Sequence, residues 1–302
     1  MITSGIGLNK ICEQMGHGNH THEEDRLQDR LAALSAQDPV PLCKTDLAQI
    51  FQVTLPDGTP GVLKVYHGSD MANEEPGIGL LQAAKGVAAV DIVAKQKDAI
   101  LMRYLEGPSL GDISRAGDDA KANLLLIEGI AQLHDALPQD LGGMVTLNRQ
   151  FRDLFALDFG PNCPSPLRKD MARATELAKD LLADPKQTHP LHGDVHHDNA
   201  ILTKDGVKFI DAKGLIGDPG FEMANSFRNP HGSDDTVRNP DRARHMAQII
   251  ASRLDIDPQR QLAWAAAKCA LSIAWNAGKT LNRDDAEHAC LSMLIALSDE
   301  RL

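Results

Sequence analysis

The sequence predicts an α+β fold of two lobes, a small β-sheet lobe followed by a larger, mostly helical one. Three observations predict it. Residues 40 to 105 alternate apolar and polar side chains with period two around a PDGTPG turn, and beyond Leu110 the apolar residues recur at helical spacing. Between the helical stretches lies HGDVHHDNAILTKDGVKFID, residues 192 to 211, where a polar loop and a short apolar hairpin hold two acids and an amide on adjoining strand ends. A chain of 302 residues, 42% of them hydrophobic, can bury such a core in one large or two modest domains.

Residues 1 to 39 are polar. His17, His20 and His22 precede EEDRLQDRLAAL, in which Leu27, Leu31 and Leu34 fall on one face, so a helical extension is expected. The three histidines could ligate a metal, but no cysteine or second ligand cluster accompanies them, and a solvated loop ahead of a helix is the expectation. LAQIFQVTL, the PDGTPG turn and VLKVY form a hairpin with Asp57-Gly58 at its tip. Alternation sends Val62 and Lys64 to one face and Leu63 and Val65 to the other. NEEPGIGLLQAA places Glu74 and Glu75 at the head of a helix whose first turn holds Pro76, where a missing N–H costs little. AILMRYLEGPSL reads as a last strand running into a linker at Glu106-Gly107-Pro108.

The remaining elements are helical. In KANLLLIEGIAQLHDAL, Leu126, Ile130, Leu133 and Leu137 line one face, and His134 is expected to be structural. GPNCPSP, residues 160 to 166, is expected as a loop near enough in order to line a substrate. A helix over 170 to 184 ends before Pro185, and another begins at Glu222 in EMANSF. LAWAAAKCALSIAWNAG is apolar nearly all round and should be buried. DDAEHACLSMLIALSDE, with acids at its positive end, should pack against it.

The chemistry gathers at residues 192 to 211. Phosphoryl transfer needs a carboxylate for the acceptor's proton, and an amide and a second carboxylate to hold Mg²⁺ on nucleotide phosphates. Asp194 and Asn199 have the D-x-x-x-x-N spacing of such a loop and Asp211 follows a hairpin, so Asp194 is read as base, and Asn199 and Asp211 as metal ligands. His192-x-Asp194-x-His196 could instead begin a metal-hydrolase site. Asn199 and Asp211 weigh against that, because a zinc site needs no amide five residues on. His192 is expected to pack under the loop and bond to backbone.

HGDVHHDN followed by FIDAKGLIGDPGFEMANSFRNP resembles the aminoglycoside/hydroxyurea antibiotic resistance kinase family, of streptomycin 6-kinase type, in its HGD-x-x-x-x-N loop and D-x-KGLIG-(D/E)-P segment. The likeness runs from about Val62 to Pro230. It implies a two-lobed protein-kinase-like fold, with residues 1–105 as the nucleotide lobe and 106–302 as the catalytic and acceptor lobe. It implies ATP and Mg²⁺, and transfer to a hydroxyl of an aminoglycoside-like small molecule. Lys64 would then meet the α and β phosphates, Val62 and Met102 the adenine pocket, and Arg103, Tyr104 and Leu105 the adenine edge through main chain. Glu74 is preferred over Glu75 as the partner of Lys64, because in relatives that acid lies six and seven positions before an apolar pair, here Leu80-Leu81. His196, Asp218 and Glu222 are candidates for the acceptor side. Glu222, with Arg228 and Asn229, could equally hold the catalytic loop rigid. The departure is upstream: there is no G-x-G-x-x-G, and Lys44 to Gln49 contains no glycine.

Composition narrows the class further. Lys and Arg number 31 against 42 Asp and Glu, a net charge of −11 that disfavours a nucleic-acid partner. An acidic surface attracts a polycation, though it also serves ordinary solubility. No apolar run has membrane-spanning length, and Met1 to Lys10 carries neither a basic nor an apolar leader pattern, so a cytoplasmic enzyme is expected. Five scattered cysteines without CxxC spacing argue against a disulfide framework or a zinc site. The same motifs would serve a choline, homoserine or sugar-amine kinase. The missing glycine loop keeps a catalytically silent nucleotide-binding module in play.

Overall fold

The structure, a computed structural model, describes residues 20 to 300. His17 and the side chains of His20 and His22 lie outside the described residues, and with them the metal alternative for that segment. Helix α1 (His20–Leu34) leads into five antiparallel strands, β1 (Gln37–Lys44), β2 (Ala48–Thr54), β3 (Pro60–Tyr66), β4 (Ile92–Gln96) and β5 (Ala99–Arg103), in the spatial order β1-β2-β3-β5-β4. Helix α2 (Glu75–Ala83) is inserted between β3 and β4.

The period-two pattern divides the sheet as expected. Phe51, Val53, Leu63, Val65 and Leu101 are buried with Leu31 and Leu34 of α1, while Val62 and Lys64 face the cleft. Two arginines lock α1 down: Arg26 and Arg30 donate through Nε to the two oxygens of buried Asp98, at 3.0 and 2.6 Å. Strand β1 is not visible in the hydrophobic pattern. Its sequence, QDPVPLCK, contains two prolines and is largely exposed; the edge position tolerates both.

Residues 104 to 108 connect β5 to α3 (Leu110–Arg115), which starts on a reciprocal capping box between Ser109 and Asp112. The helical lobe follows: α4 (Asp119–Ala136), α5 (Ser165–Ala183), then β6 (His189–Leu191), β7 (Ala200–Thr203), β8 (Gly206–Phe209) and β9 (Leu215–Gly217), and finally α6 (Pro240–Leu254), α7 (Pro258–Ala277) and α8 (His288–Asp299). Helix α7 is the axis of this lobe. Every residue from Gln261 to Ala274 is buried, and α5, α6 and α8 all pack on it. A helix apolar on all sides must be enclosed on all sides.

Three elements differ from expectation. Helix α5 begins at Ser165, inside the stretch expected as a loop, because Pro166 suits a first helical turn. EMANSF forms a 3₁₀ turn, Ala224–Arg228, rather than an α-helix. The acids ahead of α8 stay outside it, since Glu287 is drawn to Arg228, whose Nε donates to it at 2.8 Å. Among the described residues no helix is long and apolar enough to cross a membrane, and no three His, Cys, Asp or Glu side chains gather as a metal site. Cys163, Cys269 and Cys290 carry no disulfide.

Candidate active site

The loop from His192 to Asn199 hangs between β6 and β7 and is held from beneath. Gly193 has φ +80°, and a Cβ there would lie 2.5 Å from Leu215, so the turn requires glycine. Glu222 accepts the His192 amide at 2.8 Å, the Gly193 amide at 2.9 Å and the His134 Nε2 contact at 3.0 Å. Burial pushes its carboxyl up, but His134 and these donated bonds hold it below the ordinary value. The buried His192 ring bonds Ile210 O through Nε2 at 2.9 Å, and its Nδ1 accepts the Asp194 amide at 3.3 Å. Both ring nitrogens are engaged, so His192 is no zinc ligand.

Asp194 Oδ1 accepts from Asn225 Nδ2 at 2.9 Å, and its other oxygen has no partner among the described residues. Burial raises this carboxyl; His196, Lys268 and Lys213 outweigh burial and hold it below the usual range, so it is ionised at neutral pH. Asn199 Nδ2 donates back to Asp194 O at 3.1 Å, which leaves the side-chain oxygen Oδ1 of Asn199 unpartnered among the described residues. Asp211 adopts φ +59°, a left-handed conformation that aspartate tolerates better than most non-glycine residues.

The sheet reaches this loop through one lysine. Lys64 Nζ donates to Asp211 Oδ1 at 3.0 Å and to Glu74 Oε2 at 2.6 Å. Tyr66 OH donates to the same Glu74 oxygen at 2.7 Å, and Lys213 Nζ to the other at 2.9 Å. Glu74 is therefore the acid facing Lys64, while Glu75 is exposed. Burial pushes the Lys64 ammonium down, but Asp211 and Glu74 more than reverse this and raise it well above the ordinary lysine value. Buried charges persist when they are paired in this way.

Two cavities open on either side of that chain of charges. One, of about 270 Å³, is an apolar slot between Ile50, Val62, Val90, Met102, Ile201 and Ile210, with Lys64 and Asp211 also on its wall. Arg103, Tyr104 and Leu105 line it too. The amides of Arg103 and Tyr104 are already donated to Asp91 O and Pro60 O, and the Arg103 guanidinium turns out to Thr59 and Asp57. Leu105 alone of the three keeps an amide without a partner among the described residues. The second cavity, of about 1000 Å³, is bordered by Asp194, Lys213, Glu75, Arg149, Lys268 and Trp275.

Residues 34–279 match the family model of the aminoglycoside/hydroxyurea antibiotic resistance kinases. The chain belongs to that family. A streptomycin 3''-kinase of Klebsiella pneumoniae is 33% identical over 224 residues, 72% of this chain and 80% of that protein. The fold is similar to that of aminoglycoside 2'-phosphotransferase-IIIa in its GDP complex (TM-score 0.63, 18% identity, 93% of this chain and 99% of that one). It is equally similar to choline kinase LicA from Streptococcus pneumoniae (TM-score 0.63, 13% identity, 92% and 99%). The chain is thus a two-lobed, protein-kinase-like phosphotransferase that uses a nucleotide and acts on the hydroxyl of a small molecule.

In this kinase the larger cavity departs from the sequence reading. His196, Asp218 and Glu222 do not line it, nor do residues 160 to 166. His196 caps the following turn through Nδ1, which accepts from Asp198 N at 3.3 Å. Asp218 is 3% exposed and tied to Arg260, to the Gly220 amide at 2.8 Å and to the Lys186 amide at 3.2 Å. Such satisfied buried carboxylates have nothing left to offer a ligand. Sequence reasoning missed Asn225, the partner of Asp194, and it missed the face of α7 that carries Lys268 and Trp275. Lys268 is 3% exposed, makes no hydrogen bond or ion pair with any described residue, and sits 4.7 Å from the centre of the Trp275 ring. Burial brings its ammonium down to about 8, against the pull of Asp194. One charged side chain in the buried stretch Gln261–Ala274 was the available signal. The acid excess of the whole chain is not repeated in this cavity, where Lys95, Arg149, Arg152, Lys213 and Lys268 outnumber Glu75, Asp153 and Asp194.

Proposed function

We propose that this kinase transfers the γ-phosphoryl group of ATP, held with Mg²⁺, to a hydroxyl of an aminoglycoside-like acceptor such as streptomycin, in the cytoplasm. The observation that carries the reading is the 3.0 Å contact between Lys64 and Asp211, which joins the sheet lysine to the end of the β7–β8 hairpin, where the Ile210 amide donates to Asn199 O of the loop that bears Asp194. The apolar slot takes the base, with the Leu105 amide at its edge, and Lys64 meets the α and β phosphates. We assign residues 1–105 to nucleotide binding and 106–302 to catalysis and the acceptor, with Glu75 and Lys95 reaching across.

The donor set fits Mg²⁺. Asn199 and Asp211 each keep an oxygen that no described residue uses, and Mg²⁺ takes oxygen ligands, few of them from protein when phosphates are present. When bound, it offsets charge on the β and γ phosphates. Asp194, ionised and fixed by Asn225, orients the acceptor hydroxyl and takes its proton. Its lowered proton affinity suits a loose transition state, in which the proton leaves late. In the large cavity the Trp275 face supports a ring of the acceptor, Lys268 and Arg149 donate to its hydroxyls, and Glu75 and Asp153 meet its amines. A choline-type acceptor fits less well. A quaternary ammonium is held by an aromatic cage of several rings, and the cavity offers a single indole.

Asp194→Asn tests this reading. In an ADP-release assay with streptomycin, kcat is expected to fall by about 10²- to 10⁴-fold, with MgADP affinity nearly unchanged. Near-normal turnover by the variant would refute the assignment.

A further inference from the structure

In this kinase the segment corresponding to a phosphate-covering loop turns no cationic side chain toward the cleft. The turn between β1 and β2 contains no glycine, and the long polar side chains that flank it are turned away: Lys44 Nζ and Gln49 Nε2 both donate to Glu23, at 3.0 and 2.9 Å. The phosphoryl group in transit still needs positive charge beyond that of Lys64.

Lys213 borders the larger cavity together with Asp194. Its amide donates to His192 O at 2.7 Å, which ties it to the head of the catalytic loop. On the other side the chain is wedged against α2: a Cβ on Gly77 would lie 1.8 Å from Ala212 O, and one on Gly214, at φ +67°, would lie 2.4 Å from the Pro76 carbonyl carbon. Asp211 lines the nucleotide slot, whereas Lys213, two residues on, lines the acceptor cavity beside Asp194. The Lys213 ammonium is parked on Glu74 Oε1, while Glu74 Oε2 already holds Lys64 and Tyr66. Glu74 therefore remains compensated if Lys213 leaves. The Lys213 side chain is also the more exposed of the two lysines, 20% against 5% for Lys64.

We propose that Lys213 is a catalytic residue, which moves from Glu74 to the equatorial oxygens of the phosphoryl group as it crosses from ATP to the acceptor. In that step the bond from the γ-phosphorus to the β,γ-bridging oxygen breaks and its electron pair leaves with ADP. The acceptor oxygen bonds to phosphorus, and the hydroxyl proton passes to Asp194. Lys213 binds charge through the step and is unchanged at its end. The inference rests on the phosphotransfer reading above.

The experiment needs no acceptor. MgADP binding is titrated with and without aluminium fluoride, a planar mimic of the moving phosphoryl group, in the wild type and in Lys213→Met. In the wild type fluoroaluminate is expected to tighten MgADP retention. In Lys213→Met that tightening should drop at least about tenfold while MgADP affinity alone stays within about twofold, the pattern of a donor used only in the transition state. MgADP binding doubles as the folding control. Equal tightening in both proteins, or no tightening in the wild type, overturns the inference and leaves the phosphotransfer reading standing. A proportional loss of MgADP affinity also overturns it, because Lys213 would then act only through Glu74 and Lys64. Failure of the wild type to bind MgADP at all overturns both.

Discussion

Replacing Lys268 by methionine should make the protein more stable and a worse enzyme. The ammonium is buried without a hydrogen bond, and burial brings it from 10.5 to about 8, with Arg228 adding to the effect and Asp194 and Glu287 opposing it. At about 1.36 kcal/mol for each tenfold change in proton affinity, that displacement corresponds to about 3 kcal/mol against the charged form in the folded state. Methionine keeps the length and much of the volume but gives up the contact with Trp275, worth about 0.5–1 kcal/mol. A net gain of about 2 kcal/mol is expected at pH 7, or a Tm higher by roughly 3 °C for a chain of this size. The sign follows from linkage. Between pH 8 and 10.5 the unfolded lysine keeps its proton and the folded one does not, so wild-type stability rises through that window and the gap to the variant closes. On the functional side, loss of a charged donor to the acceptor, about 1.5–3 kcal/mol, should raise the acceptor KM by about tenfold or more. Denaturation curves at pH 7 and pH 10.5, with acceptor kinetics at pH 7, measure both. A variant no more stable than the wild type at pH 7, or a gap that persists undiminished to pH 10.5, would refute the reasoning.

The other expectations are simpler. Glu222→Ala strands the His192 and Gly193 amides in a buried setting, and the cost of about 3–5 kcal/mol should appear as a large fall in Tm together with loss of turnover. Asn225→Ala frees Asp194 Oδ1, and kcat should drop by about tenfold to a hundredfold while the KM for ATP holds, as befits lost orientation; an unchanged kcat would remove Asn225 from the site. Gly77→Ala puts a Cβ 1.8 Å from Ala212 O, so overpacking of about 1–3 kcal/mol and a displaced Asp211 should lower both Tm and MgADP affinity in parallel titrations.

What the sequence determined by itself was local. The spacing from Asp194 to Asn199 and the hairpin before Asp211 put these three groups within one short stretch. Period two along β3 sent Lys64 away from Leu63 and Val65, and all-round hydrophobicity marked α7 as enclosed. In each case the relevant distance is set by a few bonds or by one helical or strand repeat. Only the tertiary structure decided what lines the larger cavity. Lys268 and Trp275 come from a helix read as pure core, because a hydrophobic pattern reports that a residue is buried and not that a cavity opens beside it. Asp218 and Glu222 read as charge near the acceptor, since nothing local reveals that Arg260 or the His192 and Gly193 amides will consume them. The pairing of Lys44 and Gln49 with Glu23, which turns both side chains away from the nucleotide, depends on how α1 docks on the sheet. Side-chain partners brought together across the fold are set by packing, and no period along the chain encodes them.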